Sequence, residues 1–390
     1  MSVPPSFPIP ERVLMGPGPS HVPAAVLSAL SRPTIGHLDP EFLRLMDQVR
    51  DMLREVFGTR NQCTLPMSGT GSAGMETCLV NLVEPGDRVL VAVNGVFGTR
   101  LAEVARRAGA EVTTVDFEWG RAADAPALER AAAGRKYALL CAVHAETSTG
   151  VLQPFEPLKA LADRLGALLL ADTVTSFGGV PVELDARGID ATYSGTQKCL
   201  SCPPGLSPVS LSPRAVAKLE ARKTPVQSWY LDLSLLMKYW GQERVYHHTA
   251  PINALYGLHE ALRLALVEGL PARYERHRKN AAALAAGLTA LGLELPVPSE
   301  ERLPPLTLVG VPKGIDEARV RKYLLEEFSL EIGSGLGKFK GNAWRVGLMG
   351  ASSSRRNVSL CLTGLAAALA AQGHRPSGDA LGAAAAVYEA

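Results

Sequence analysis

Lys198 lies in the segment TYSGTQKCL, directly after an apolar, strand-like run and a Ser-Gly turn. A lysine held there and kept from water becomes a nucleophilic amine that can condense with a carbonyl; in the open it is an ordinary solvated cation. Asp172, 26 residues upstream, closes the apolar run ALLLAD. A carboxylate in that position needs a partner, because burying an unpaired charge is costly. It either caps the next turn or faces a cationic group of a ligand. The stretch Ser68-Gly69-Thr70-Gly71-Ser72-Ala73-Gly74 sets hydroxyls among glycines just before a helical pattern. Such a loop lets the backbone approach a phosphate and offers it helix N–H groups, although a plain strand-to-helix turn would look the same. A dinucleotide site is disfavoured, since the next strand, RVLVAV, ends in Asn94-Gly95 rather than in an acid. Arg345, flanked by apolar residues in AWRVG, requires a carboxylate or phosphate partner, from the protein itself or from a substrate.

These residues need elements to position them. EFLRLMDQVRDMLREVF, residues 41–57, has apolar residues at helical spacing. Beyond it, short apolar runs (CTLPM, RVLVAV, EVTTVDF, YALLCAV, ALLLADTV) alternate with helical segments. That alternation predicts an α/β domain with a mainly parallel sheet. Sheets of this kind place their chemistry at the carboxyl ends of the strands. Those ends are residues 68–72, 94–97, 144–150, 172–176 and 194–198. From about residue 250 the pattern becomes helical, and a long helix from Asn253 is expected to leave the large domain. The runs LTLVGV, DEARVRKYLLEEF, SLEIG and WRVGLMG, with a last helix from about Arg356, fit a small α+β domain. Residues 1–20 carry six prolines and read as an extended arm of the kind that lies on a partner subunit. The expected division is an arm over 1–20, a large domain over 21–268 and a small domain over 269–390.

Composition removes several classes of function. Forty basic and 38 acidic residues leave a formal charge of +2 in 390 residues, without the basic excess of a nucleic-acid binder. Apolar content of 47% with 20% charged residues is that of an ordinary globular chain. No stretch is long and apolar enough to predict a membrane span. The first residues lack the pattern of a signal peptide, so the six cysteines (63, 78, 141, 199, 202 and 361) are expected to be reduced thiols in the cytoplasm. Cys199 and Cys202 form a C-x-x-C pair with no second pair at zinc spacing. His247 and His248 would point to opposite faces of a strand and share no metal. Trp229, Tyr230, Trp240 and Tyr246 suggest an aromatic patch in a dimer interface.

The order of these features, together with LMGPGPSHVP at 14–23, SGTGSAGMET at 68–77, EPGDRVLVAVNGVFGTR at 84–100, HAETSTGVLQP at 144–154, ADTVTSFGG at 171–179, YSGTQKCLSCPPGLSP at 193–208, YHHTAP at 246–251 and WRVGLMG at 344–350, resembles the fold-type I pyridoxal-phosphate enzymes. More narrowly it resembles the class V aminotransferases, in the alanine–glyoxylate and serine–pyruvate branch. The resemblance implies a seven-stranded, mainly parallel sheet in the large domain, a smaller C-terminal α+β domain, and pyridoxal 5'-phosphate as cofactor. It makes Lys198 the Schiff-base residue and proton carrier, and Asp172 the partner of the pyridine nitrogen. Phe97 and Val174 would pack on the two ring faces, with Thr147 near the ring oxygen. Thr70, Gly71, Ser72 and Gln197 would bind the phosphate. Tyr246 and Thr249 would reach the phosphate of the neighbouring subunit, which implies a homodimer with shared sites. Arg345 would hold the substrate carboxylate, with Gly18 close by. The reaction implied is amino transfer from alanine or serine to glyoxylate or pyruvate. The rival on the same scaffold is a cysteine desulfurase or lyase, which needs a thiol on a mobile loop.

Overall fold

Asp39, Pro40 and Gly58 frame the first long helix, Pro40–Phe57, of the computed structural model, which describes residues 3–375 and 377–390. Asp39 accepts from the Glu41 N–H at 2.8 Å, satisfying one of the donors that a helix start leaves unpaired. The buried side of this helix carries Phe42, Met46, Val49 and Leu53. This is the apolar stripe that the sequence spacing predicts.

The helix covers a seven-stranded sheet whose order is Cys63–Ser68, Leu206–Leu211, Ala191–Tyr193, Leu168–Asp172, Leu139–Val143, Arg88–Val93, Glu111–Asp116. Leu206–Leu211 runs antiparallel to both of its neighbours; the remaining pairs are parallel. The four central strands are apolar on both faces because helices cover both. Each parallel strand leaves its carboxyl end at the same edge, where Asp172, Asn94 and the loop after Tyr193 gather.

The helical run after residue 250 is two helices rather than one. Ile252–Glu268 ends at Gly269, whose φ of +82° turns the chain before Leu270–Ala290 begins. Most buried apolar residues from Val26 to Leu262 belong to one core and most from Ala283 onward to a second, with two small clusters, around Cys199 and around Val151, between them in the chain's packing. Leu306–Gly310, Ala343–Gly347 and Gly333–Ser334 form the sheet of that second unit. The run SLEIG divides into Leu330–Glu331 and Gly333–Ser334 because each piece pairs differently.

Part of the N-terminal segment is secured to its own chain. Val13–Leu14 pairs in parallel with Leu330–Glu331, and Met15 is buried in the second core. This stretch therefore packs on its own chain, and it carries residues 16–20 across to the large sheet. Among the described residues, no helix is long and apolar enough to cross a membrane.

Candidate active site

The strand ends and the Thr70–Ser72 turn line one cleft. Asp172 lies at its floor. One carboxylate oxygen accepts from the Val174 N–H at 2.9 Å and the other from the Tyr193 hydroxyl at 2.7 Å. Tyr193 can reach because it is the register partner of Asp172 in the neighbouring strand. Burial pushes the Asp172 carboxyl up to about 6, against the pull of those hydrogen bonds and of the Lys198 and Arg100 charges. A cation placed against it would favour the carboxylate.

Lys198 enters the same cleft from the turn after Tyr193, and its Nζ donates to the Pro17 carbonyl. Enclosure, and secondarily the Arg345 charge, push its ammonium down to about 8, so a useful fraction is free amine near neutral pH. Gly18 lies directly on this side chain. Its φ is +106°, and a Cβ there would come 2.6 Å from Lys198 Nζ, so any other residue would be strained and would push the lysine aside.

Thr70, also lining the cleft, precedes the helix Gly71–Leu82 but makes no side-chain cap. The first helix N–H groups and the hydroxyls of Thr70 and Ser72 are thus left facing the cleft, as an anion site requires. Gln197 lines the same space, and its side-chain oxygen is buried without a partner. Phe97 and Val174 supply apolar walls.

Phe97 is held by a buried acid that sequence reasoning missed. Glu146 accepts from the N–H groups of Phe97 and Gly98 at 3.1 and 3.3 Å, and from the Ser148 N–H and hydroxyl at 3.0 and 2.6 Å. Thr147, between these two residues, lines the cleft, and its carbonyl accepts from Arg345 Nη1 at 3.2 Å. Arg345 Nε donates to the Ser334 carbonyl at 2.8 Å. Strand alternation explains its direction: Trp344 and Val346 are buried in the second core, so Arg345 faces the other way. The internal ion pair that its sequence setting allowed is not formed among the described residues; both of its contacts are carbonyls.

Two further residues escaped the sequence reading. Tyr193 stands just before the Ser-Gly turn, but only sheet register reveals its contact with Asp172. Arg100 lines the cleft with its guanidinium 5.0 Å from the Phe97 ring centre. The three-residue helical spacing between the two was visible in the sequence.

Tyr246 and Thr249 do not reach this cleft. Tyr246 is 56% exposed, and its hydroxyl lies 3.5 Å from that of Thr249. The neighbouring histidines are in a loop rather than a strand, and their Nδ1 atoms face each other at 2.9 Å. No cluster of three metal-ligating side chains occurs among the described residues. Of the four aromatics grouped in sequence, Trp240 is buried in the first core, whereas Trp229, Tyr230 and Tyr246 are exposed.

Comparison with known proteins bears on this arrangement. The family pattern described as aminotransferase class-V matches residues 13–338. The chain is 43% identical to an alanine–glyoxylate aminotransferase of Callithrix jacchus, covering 93% of this chain and 88% of that one. The solved alanine–glyoxylate aminotransferase of Nostoc sp. is 49% identical with a TM-score of 0.92, over 95% of this chain and 98% of that one. The solved ureidoglycine–glyoxylate aminotransferase of Bacillus subtilis is 41% identical with a TM-score of 0.96, over 99% and 100% of the two chains.

Proposed function

The chain belongs to the class V aminotransferases, enzymes that work with pyridoxal phosphate, and from that premise we propose that it moves an amino group from alanine or serine to glyoxylate or pyruvate. The observation that carries this reading is the presence of the Lys198 amine and the Asp172 carboxylate in one cleft, with Arg345 donating to the carbonyl of the cleft-lining Thr147 and having no carboxylate partner among the described residues. Glyoxylate is the substrate shared by the names of the two kinds of relative, which supports it as acceptor.

The donor set fits the cofactor. Thr70 makes no side-chain cap on the helix Gly71–Leu82, so its hydroxyl and the first helix N–H groups remain as donors for an anion. Thr70, Gly71, Ser72 and Gln197 would hold the phosphate, Phe97 and Val174 the ring faces, Thr147 the ring oxygen, and Asp172 the pyridine nitrogen. Bound there, the cofactor supplies an electron sink for charge developing at the substrate Cα. Lys198 takes the proton from Cα and later returns one, a task suited to an amine that titrates near 8. Asp172, as a carboxylate, keeps a proton on the ring nitrogen. The planar fork of Arg345 clamps the α-carboxylate without selecting a side chain, and Gly18 leaves room beside the amine.

Tyr246 and Thr249, exposed and away from their own cleft, are read as serving the neighbouring subunit of a homodimer. The six cysteines are buried free thiols, which supports a reducing compartment such as the cytoplasm. Burial also argues against a desulfurase: Cys361 sits inside the second core, its thiol pushed up to about 12.

The test compares kcat/KM for alanine, serine, aspartate, glutamate and (S)-ureidoglycine with glyoxylate in excess. Alanine or serine is expected to lead. Efficient use of aspartate or glutamate, with alanine and serine both poor, would overturn the reading. Borohydride should fix the cofactor to the peptide containing Lys198, and Lys198→Ala should abolish both that product and turnover.

A further inference from the structure

The loop carrying Lys198 and the loop following Arg345 meet backbone to backbone. Gly350 has a φ of +54°, and a Cβ on it would lie 2.6 Å from the Cys199 carbonyl oxygen and 2.1 Å from Ser201 Oγ. The Ala351 N–H donates to Ser201 Oγ at 2.8 Å. Behind this contact runs the helix Leu270–Ala290, which starts just past the turn at Gly269.

Two arginines in its first turns reach the two loops. Arg273, buried, donates to the Gly178 carbonyl at 2.8 Å and to the Cys199 carbonyl. Arg276 donates to the carbonyls of Gly350 at 2.9 Å and Ser353 at 2.6 Å. One carboxylate holds both. Glu268, the last residue of the preceding helix, accepts from Arg273 Nη1 at 2.7 Å and from Arg276 Nη2 at 3.0 Å. Between the arginines' contacts, the buried His277 ring donates through Nδ1 to the Arg273 carbonyl at 2.7 Å. It accepts at Nε2 from the Gly350 N–H at 2.9 Å.

Resting on the reading of Lys198 and Arg345 given above, we propose that Glu268 is a positioning residue: by gripping Arg273 and Arg276 together, it sets the separation between the Lys198 amine and the Arg345 guanidinium. That separation decides whether one small molecule can present its amine and its carboxylate at the same time. Arg273 fixes the carbonyl of the residue next to Lys198. Arg276 fixes the turn five residues beyond Arg345. Their shared carboxylate lies across the Gly269 break, where the two apolar cores divide, so relative movement of the two units would have to pull this grip apart. Glutamine at 268 keeps the size but loses the charge and one of the two acceptor oxygens. The two guanidinium groups would then repel each other and let the loops drift. A shift of about 1 Å in such a pair is enough for a roughly hundredfold loss in rate.

Alanine and alaninamide distinguish this from a general loosening of the fold. They share amine and side chain, but only alanine carries the anion for Arg345. The half-reaction is followed by the absorbance of the bound cofactor. Wild type should favour alanine strongly. Glu268→Gln should lose at least tenfold in kcat/KM for alanine while alaninamide stays within twofold, with borohydride still fixing the cofactor to Lys198. A parallel fall for both substrates would mean a merely structural role and overturn the proposal, as would undiminished preference for alanine. Wild type treating both alike would instead refute the role of Arg345, and the proposal with it. Should Glu268→Gln fail to fold, Arg276→Lys is judged by the same criteria, since an ammonium cannot span Glu268 and both carbonyls.

Discussion

Asp172 weakens the cofactor-free fold and is useful only once a cation faces it. Its carboxyl moves from 3.8 to about 6 on folding, so the fold prefers the protonated form. The contribution of Asp172 to stability is therefore fully present below pH 3.8 and is lost as pH rises through about 6. Above that, the loss amounts to about 3 kcal/mol. Asn at this position cannot ionise, and it can still accept from the Val174 N–H while donating to a reoriented Tyr193 hydroxyl. Cofactor-free Asp172→Asn should thus match wild type in thermal denaturation at pH 4 and melt higher at pH 7.5. The holoenzyme variant should turn over at least a hundredfold more slowly, because several kcal/mol of charge stabilisation disappear. Equal melting at pH 7.5, or turnover within twofold, would contradict the role. Asp172 was legible in sequence because it closes a strongly apolar run, and Lys198 because it follows a strand-like run and a Ser-Gly turn, both at the edge where parallel sheets do chemistry. Tyr193 was not, since the contact depends on which residue of one strand lies beside which of another, and no local pattern encodes that.

The helix Val96–Arg107 shows how an element aims a side chain. Its N-cap is Gly95, which supplies no side-chain cap; Glu146, from a different segment, does that work instead. The carboxylate is acceptor to four donors from Phe97, Gly98 and Ser148, while burial raises its pKa. In Glu146→Gln, one oxygen becomes an NH2 group facing donors. Each orphaned buried donor costs about 1–3 kcal/mol, so the variant should melt several degrees lower. The Phe97 wall should loosen with it. Cofactor titration followed by absorbance should give a Kd at least tenfold higher; an unchanged Kd and melting temperature would show that Glu146 does not set the wall. The alternation of strands and helices was readable from the sequence because period and apolar runs are local. The division of SLEIG was not, because the piece Leu330–Glu331 pairs with Val13–Leu14, over 300 residues away. The turn at Gly269 was hidden inside a run whose apolar spacing continues on both sides.

The whole chain leaves apolar surface uncovered. Phe7, Ile9, Trp229 and Tyr246 are between 56% and 80% exposed. Val13–Leu14 is paired with Leu330–Glu331 of the same chain, whereas Phe7 and Ile9 just before it are largely exposed. The residues matched to phosphate contacts, Tyr246 and Thr249, sit on this surface and not in the cleft of their own chain. Both facts are met if two copies associate about a twofold axis and each lends Tyr246 and Thr249 to the other's site. The consequence can be tested by complementation. Lys198→Ala alone and a Tyr246→Ala, Thr249→Ala double variant should each be nearly inactive. Co-expressed with different affinity tags, they form heterodimers in which one site carries both defects and the other carries neither. Random pairing makes half the dimers mixed, so the pooled protein should recover about one quarter of wild-type activity. Doubly tagged dimers, isolated on both affinity resins, should show about one half. Activity no higher than that of the two parents, in a preparation shown to contain doubly tagged dimers, would mean that each site is built from a single chain.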